Sequence, residues 1–202
     1  MQDKRDLLLN ALREYKTSYQ EEKSIIPELI SFINNNVDCF ENSNIQAQIT
    51  GAAWVLSPDN KKVLLTHHKK FNRWIQFGGH SEGDSNTWNV ALREAQEESG
   101  INELEFVTRD IFDIDMYIIP PKLIRNKPEH KMYDIRFLLR AKNENFLVNN
   151  ESNTLKWFTL REVKEDVCKD SPELLRMVNK WQKFIPNLSI ENKPIFKNHM
   201  WK

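Results

Sequence analysis

Three glutamates, Glu94, Glu97 and Glu98, fall in the single run Arg93-Glu94-Ala95-Gln96-Glu97-Glu98-Ser99-Gly100-Ile101. On a helix, residues three and four apart are surface neighbours, so these carboxylates share a face and repel one another. That repulsion costs about a few tenths of a kcal/mol per pair on a bare helix. A hard divalent cation drawing oxygen ligands from the same side chains turns the cost into a gain. The chemistry expected here is therefore a Mg²⁺ or Mn²⁺ site with Glu94, Glu97 and Glu98 as ligands.

The elements that must position these groups are also legible. Gly78 and Gly79 follow the run Trp74-Ile75-Gln76-Phe77, and residues without Cβ let the backbone turn and approach a ligand closely. The carbonyl of Gly78 is thus a further candidate metal ligand. Asp84, Ser85, Asn86 and Thr87 are helix-starting residue types, and Gly100 suits a left-handed helix end closed by Ile101. The spacing predicts a helix from about Thr87 to Ser99 with Ala91, Leu92 and Ala95 packed on a sheet. Arg93 adjoins the acidic face and can hold one glutamate by a charge-assisted pair. A surface helix with a solvated acidic side is the plain alternative, and it explains neither glycine cluster.

Gly79, Arg93, Glu94, Ala95, Glu97, Glu98, Gly100 and Ile101 stand in the register of the Nudix signature, and on these residues the chain resembles the Nudix hydrolases. The resemblance implies an α/β fold, a Nudix-type α/β/α sandwich with a mixed sheet, across about residues 46–185. It implies a metal-dependent pyrophosphohydrolase acting on a small nucleoside-diphosphate-linked substrate, with Mg²⁺ or Mn²⁺ as cofactor. Metal binding carries over to Glu94 and Glu98 first and to Glu97 next, with Arg93 as a supporting catalytic residue. The stretch looks like a subgroup whose signature opens Gly-Gly-His. One position departs: Ser85 stands where the family carries a first glutamate, leaving Asp84 or Glu82 as the expected partner of Arg93. Two alternatives stay open on that account, a nucleotide-binding or regulatory module of the same fold without turnover, and a hydrolase of a non-nucleotide diphosphate.

Other candidates surround this unit. His67 and His68 precede the glycines, His80 follows them, and His130 opens a strand through Asp134. Convergence of His68, His80, His130 and Asp134 above the metal would supply phosphate contacts or an acid or base near neutral pH; taken singly, each histidine also fits a strand end in solvent. Arg73, Lys69, Lys70, Arg125 and Lys127 are loop cations that can meet diphosphate oxygens. The substrate-binding set is thus His80, His68, His130 and Arg73. Glu129 and Glu151 join the helix glutamates as candidate general bases. Among Trp54, Phe71, Trp74, Tyr117, Tyr133 and Trp157, one or two are expected to line a pocket and the rest to fill the core.

The remaining chain sets bounds. It has 202 residues, 40% hydrophobic, with 29 basic and 29 acidic side chains and a net charge of +0, enough for one domain with extensions. That balance gives no reason to expect a standing nucleic-acid partner. Cys39 and Cys168 lie far apart without metal or redox spacing, which favours a reduced, cytoplasmic setting. The opening Leu7-Leu8-Leu9 is too short for a signal-peptide core, and no stretch is long enough to span a bilayer.

Residues 1–45 read as an N-terminal helical extension. One stripe runs through Leu8, Ala11, Leu12, Tyr15 and Tyr19, and Pro27 starts a second piece ending at Asn34-Asn35-Asn36. Such helices would serve as a cap or homodimer surface, or complete the same core. Strands are expected at 48–56, 62–67, 73–77, 104–107, 113–119, 131–140 and 155–158. Ser171-Pro172 opens a helix, and 186–202 reads as a C-terminal tail.

Overall fold

The computed structural model describes residues 3–121 and 128–188. Its elements are α1 (Asp6–Glu14), α2 (Gln20–Asn35), β1 (Ala47–Leu56), β2 (Lys62–His68), β3 (Arg73–Ile75), β4 (Phe77–His80), α3 (Thr87–Ser99), β5 (Leu104–Phe106), β6 (Asp113–Ile119), β7 (His130–Ala141), β8 (Ser152–Thr159), the single turn α4 (Leu160–Glu162) and α5 (Pro172–Leu188). Arg125 and Lys127 lie outside the described residues, as does the expected tail from position 189 onward; Pro186 to Leu188 continue α5.

The eight strands form one mixed, curled sheet. Its centre is the parallel pair β1–β7, in register from Ala47 opposite Lys131 to Leu56 opposite Arg140. All other pairings are antiparallel, with β2 and β4 on β1, β3 and β8 on β2, and β5 and β6 on β7. Side chains alternate across the sheet as a period of two requires. Ala53, Val55, Leu64, Ile135, Phe137 and Leu139 enter one core with residues of α1, α2 and α3, whereas Trp54, Leu56, Val63, Leu65 and Leu138 enter a second with α5. The expected α/β/α layering is thereby observed.

Three expectations need correction. Residues 73–77 do not form one strand: β3 pairs with β2 up to Ile75, and β4 pairs with β1 from Phe77. The chain changes partner at Gln76, and the glycines lie within β4 rather than in a turn after it. In the N-terminal part, α2 begins at Gln20 and carries Pro27 in its interior; the helix absorbs the proline because its buried stripe, Glu22, Ile25, Leu29 and Ile33, continues across it. Tyr15 and Tyr19 lie beyond the end of α1, where the Tyr15 hydroxyl donates to Glu22 at 2.6 Å.

Candidate active site

Helix α3 begins at Asn86, whose side chain accepts from the backbone N–H groups of Trp88 and Asn89 at 3.2 and 3.4 Å, and ends at Gly100 with φ 69°. Val90, Ala91 and Ala95 are fully buried beneath it. Packing on these small residues brings the opposite flank of α3 against β4 and sets the carboxylates by their helical angle.

Those carboxylates separate. Glu98 is 9% exposed and accepts the backbone N–H of Gly78. Glu94 lies so close to β4 that a Cβ on Gly79 would stand 2.3 Å from its carboxyl carbon; any larger residue there would push the carboxyl aside. The Glu97 side chain is 62% exposed and turns outward toward Arg93, 3.7 Å away. Arg93 pairs with Glu94 at 2.6 Å and donates to the carbonyl of His80 at 3.1 Å. Asp84 instead accepts the backbone N–H of Asn86 at 2.8 Å, so Arg93 finds its partners on α3 and β4, not in the loop where Ser85 stands.

Burial, the charge of Glu94 and the nearby Glu151 and Glu97 push the Glu98 carboxyl up to about 8, against the pull of the Gly78 N–H. Burial also raises Glu94, with Arg93 opposing and Glu97 adding to the rise. Two carboxylates so confined can hold a cation between them and the cavity. Among the described residues no three His, Cys, Asp or Glu side chains gather closely enough to cage an ion alone. That donor set suits Mg²⁺, which is commonly held by one or two carboxylates together with substrate phosphates and waters.

Glu94 and Glu98 open into a cavity of about 740 Å³, within the range of small-molecule sites. Gly78, Gly79, His80 and Glu82 share that wall; the β2–β3 loop contributes His68, Lys69, Lys70 and Phe71; and Glu151 closes the side. The floor comes from β1, β6 and β7, with Gln48, Thr50, Tyr117, Ile119, His130, Met132 and Asp134, joined by Gln76. His68, His80, His130 and Asp134 all line this one cavity, and Phe71 and Tyr117 are its aromatic lining residues. The Nδ1 of His68 accepts the Lys70 N–H at 3.1 Å, and burial lowers the His68 pKa. Arg73 is not brought into the cavity; it is half exposed and pairs with Glu173 of α5 at 3.2 Å. Glu129 is exposed and does not line it.

Sequence reasoning named His130 and Asp134 but missed Gln48, Thr50 and Gln76 in the floor and the ion network beneath it. Asp134 accepts from Thr50 at 2.8 Å, Gln76 at 3.0 Å and Arg136 at 2.7 Å. Arg136 extends to Asp113 and Asp115, both at 3.0 Å. Asp113 in turn meets Arg176 at 2.8 Å and Lys180 at 2.7 Å, and Lys180 reaches Glu22 of α2 at 2.5 Å. The signal was present: Gln48 and Thr50, and again Asp134 and Arg136, are polar at alternate positions of otherwise apolar strands.

A curled mixed sheet between helices, with an acidic helix and a glycine strand facing across an open cavity, defines an α/β/α sandwich. The NUDIX domain family model matches residues 48–178, and the chain belongs to the Nudix family. It is 30% identical over 129 residues to an m7GpppN-mRNA hydrolase of Xenopus laevis, covering 61% of this chain and 38% of that protein. It is 25% identical over 138 residues to a protein of Lactococcus lactis named probable DHNTP pyrophosphohydrolase, covering 68% and 80%. The fold matches an Ap4A hydrolase of C. elegans in a binary complex, with a TM-score of 0.53 at 18% identity over 69% of this chain and 98% of that one. Among the described residues no helix is long and apolar enough to cross a membrane.

Proposed function

We propose that this chain is a divalent-cation-dependent pyrophosphohydrolase that cleaves the diphosphate bond of a small nucleotide-linked substrate. The observation that carries the reading is the pairing of Glu94 and Glu98 with the glycines of β4 at the mouth of a cavity sized for a nucleotide. The names of the two curated relatives, an m7GpppN-mRNA hydrolase and a probable DHNTP pyrophosphohydrolase, support the same class.

Glu94 and Glu98 would hold Mg²⁺ or Mn²⁺, with the Gly78 carbonyl as a further ligand and Glu97 at the rim. Such an ion supplies charge neutralisation on adjacent phosphates and lowers the pKa of bound water. Arg93 fixes Glu94 in place and ties α3 to β4 through the His80 carbonyl. Lys69, Lys70 and His80 would meet the phosphate oxygens, with His68 and His130 as further lining residues. Glu151, a cavity carboxylate outside α3 and, unlike Asp134, not tied to Thr50, Gln76 and Arg136, takes the proton of the attacking water. The water oxygen bonds to one phosphorus, and the bridging oxygen leaves with the other phosphate. Arg73, outside the cavity, has a structural pairing with α5 and no assigned substrate contact.

The test is a panel of nucleoside triphosphates, dinucleoside polyphosphates, nucleotide-linked sugars and non-nucleotide diphosphates, assayed for phosphate or nucleoside monophosphate release. Release with Mg²⁺ that stops with chelator and with Glu98→Gln is the expected result. Tight nucleotide binding without release from any member would establish a sensor instead.

A further inference from the structure

We propose that the cavity floor is a recognition surface for the amino edge of a nitrogen heterocycle, read by Gln48 and Gln76 as hydrogen-bond acceptors. The inference rests on the nucleotide reading above and specifies which bases the site prefers.

An amide side chain offers both a donor and an acceptor, so its orientation is decided by its neighbours. Gln76 Nε2 lies 3.0 Å from Asp134 Oδ2. Asp134 also receives Thr50 and Arg136, and a carboxylate ion-paired with arginine only accepts. One N–H of the Gln76 amide is thereby committed to Asp134, which fixes the orientation of the side chain and leaves Oε1 and the second N–H as the groups a ligand can meet. Gln48 repeats the arrangement: its Nε2 donates to the carbonyl of Asn42 at 2.6 Å, and a carbonyl also only accepts. Gln48 is 2% exposed, and among the described residues its Oε1 has no hydrogen-bond donor. A buried acceptor left unmatched costs about 1–3 kcal/mol; the Gln48 Oε1 is itself enclosed, and a ligand N–H that pressed in beside it would supply the missing donor.

Two acceptors with fixed orientation, on Gln48 and Gln76, beside the apolar surfaces of Ile119 and Met132, define the ligand chemistry. It is a flat heterocycle presenting an exocyclic amino group, and a keto oxygen at the same place would face another oxygen. The gap between such partners is large because a buried polar group goes unpaired with the wrong one. Asp134 acts here as a positioning residue: held by Arg136 and Thr50, it dictates which end of Gln76 meets the ligand.

The experiment is equilibrium binding of AMP against IMP, GMP against IMP, and CMP against UMP, by calorimetry in the presence of chelator, where no turnover can occur. Wild-type protein should favour the amino member of at least one pair by roughly tenfold or more. In Gln76→Met, which alters a half-buried position, that ratio should collapse to within about threefold through weaker binding of the amino member alone. Asp134→Asn, checked for folding by thermal melting, should erode the ratio as well, because an amide at 134 lets Gln76 turn over; loss of fold alone would not change a specificity ratio in the protein that remains folded. Ratios near one in all pairs, binding of none of these nucleotides, or an undiminished ratio in Gln76→Met would overturn the proposal. Absence of hydrolysis in the panel assay with the binding preference intact would remove the enzymatic reading and leave this one standing.

Discussion

Gly79 on β4 and Glu94 on α3 touch so closely that a single added methyl would sit 2.3 Å from the carboxyl carbon and 2.4 Å from one of its oxygens. The glycine is the wall against which a cavity carboxylate rests.

Gly79→Ala should therefore displace Glu94 and reduce turnover by on the order of 10²-fold, the effect expected of a misplacement near 1 Å. The chain should remain folded, because Glu94 lies at a cavity and has room to swing. Steady-state kinetics with a thermal melt checks both halves; wild-type turnover would show that Glu94 is not held where the chemistry occurs.

Glu98 links pH to stability. In the metal-free protein its pKa rises from 4.5 to about 8, so the unfolded chain ionises before the folded one. The contribution of this group is fully present below about 4.5 and is lost as pH rises through about 8. Melting temperature should fall across that window, and Glu98→Gln should flatten the slope while cutting turnover by orders of magnitude. Added Mg²⁺ should stabilise the wild type more at alkaline than at acidic pH, since the ion competes with the proton.

The ion network under the cavity floor predicts a stability effect remote from the chemistry. Arg136 is 2% exposed and bound to three aspartates. Arg136→Ala removes the cation that the three aspartates share, leaving Asp134 without an ion-pair partner among the described residues, and should cost about 3–5 kcal/mol, the usual penalty for removing one member of a buried ion group. Urea unfolding measures it. Asp113 gives the acid limb of the same network: burial works to raise its pKa, but the Arg176 hydrogen bonds and the charges of Arg136 and Lys180 outweigh burial and lower it. Its contribution is present above the ordinary carboxylate pKa and is lost as pH falls through its depressed value.

Pro27 is exposed within α2, where it lacks the N–H of an interior helical residue. Pro27→Ala restores that hydrogen bond and removes an intrinsic helix penalty of up to about 3 kcal/mol. An increase in unfolding free energy of about 1 kcal/mol or more is expected, with turnover unchanged; a decrease would mean that the proline sets a bend on which α2 packing depends.

The sequence by itself determined the local units. Helix α3, its starting residue types, Gly100 at its end, the family signature and most strands follow from periodicity and backbone preference, which act between near neighbours. The tertiary structure decided what those units face. The three α3 glutamates look equivalent in sequence, but packing on Ala91 and Ala95 turns Glu94 and Glu98 toward β4 and leaves Glu97 outside. Strand β3 ends at Ile75 because β2 and β1 compete for the same chain, and only that exchange places Gln76 over Asp134. Arg73 and Arg136 are both arginines on strands, yet one pairs at the surface with α5 and the other is enclosed among aspartates from β6 and β7. Long-range partners set burial, charge and amide orientation, and those are the quantities from which a binding site is made.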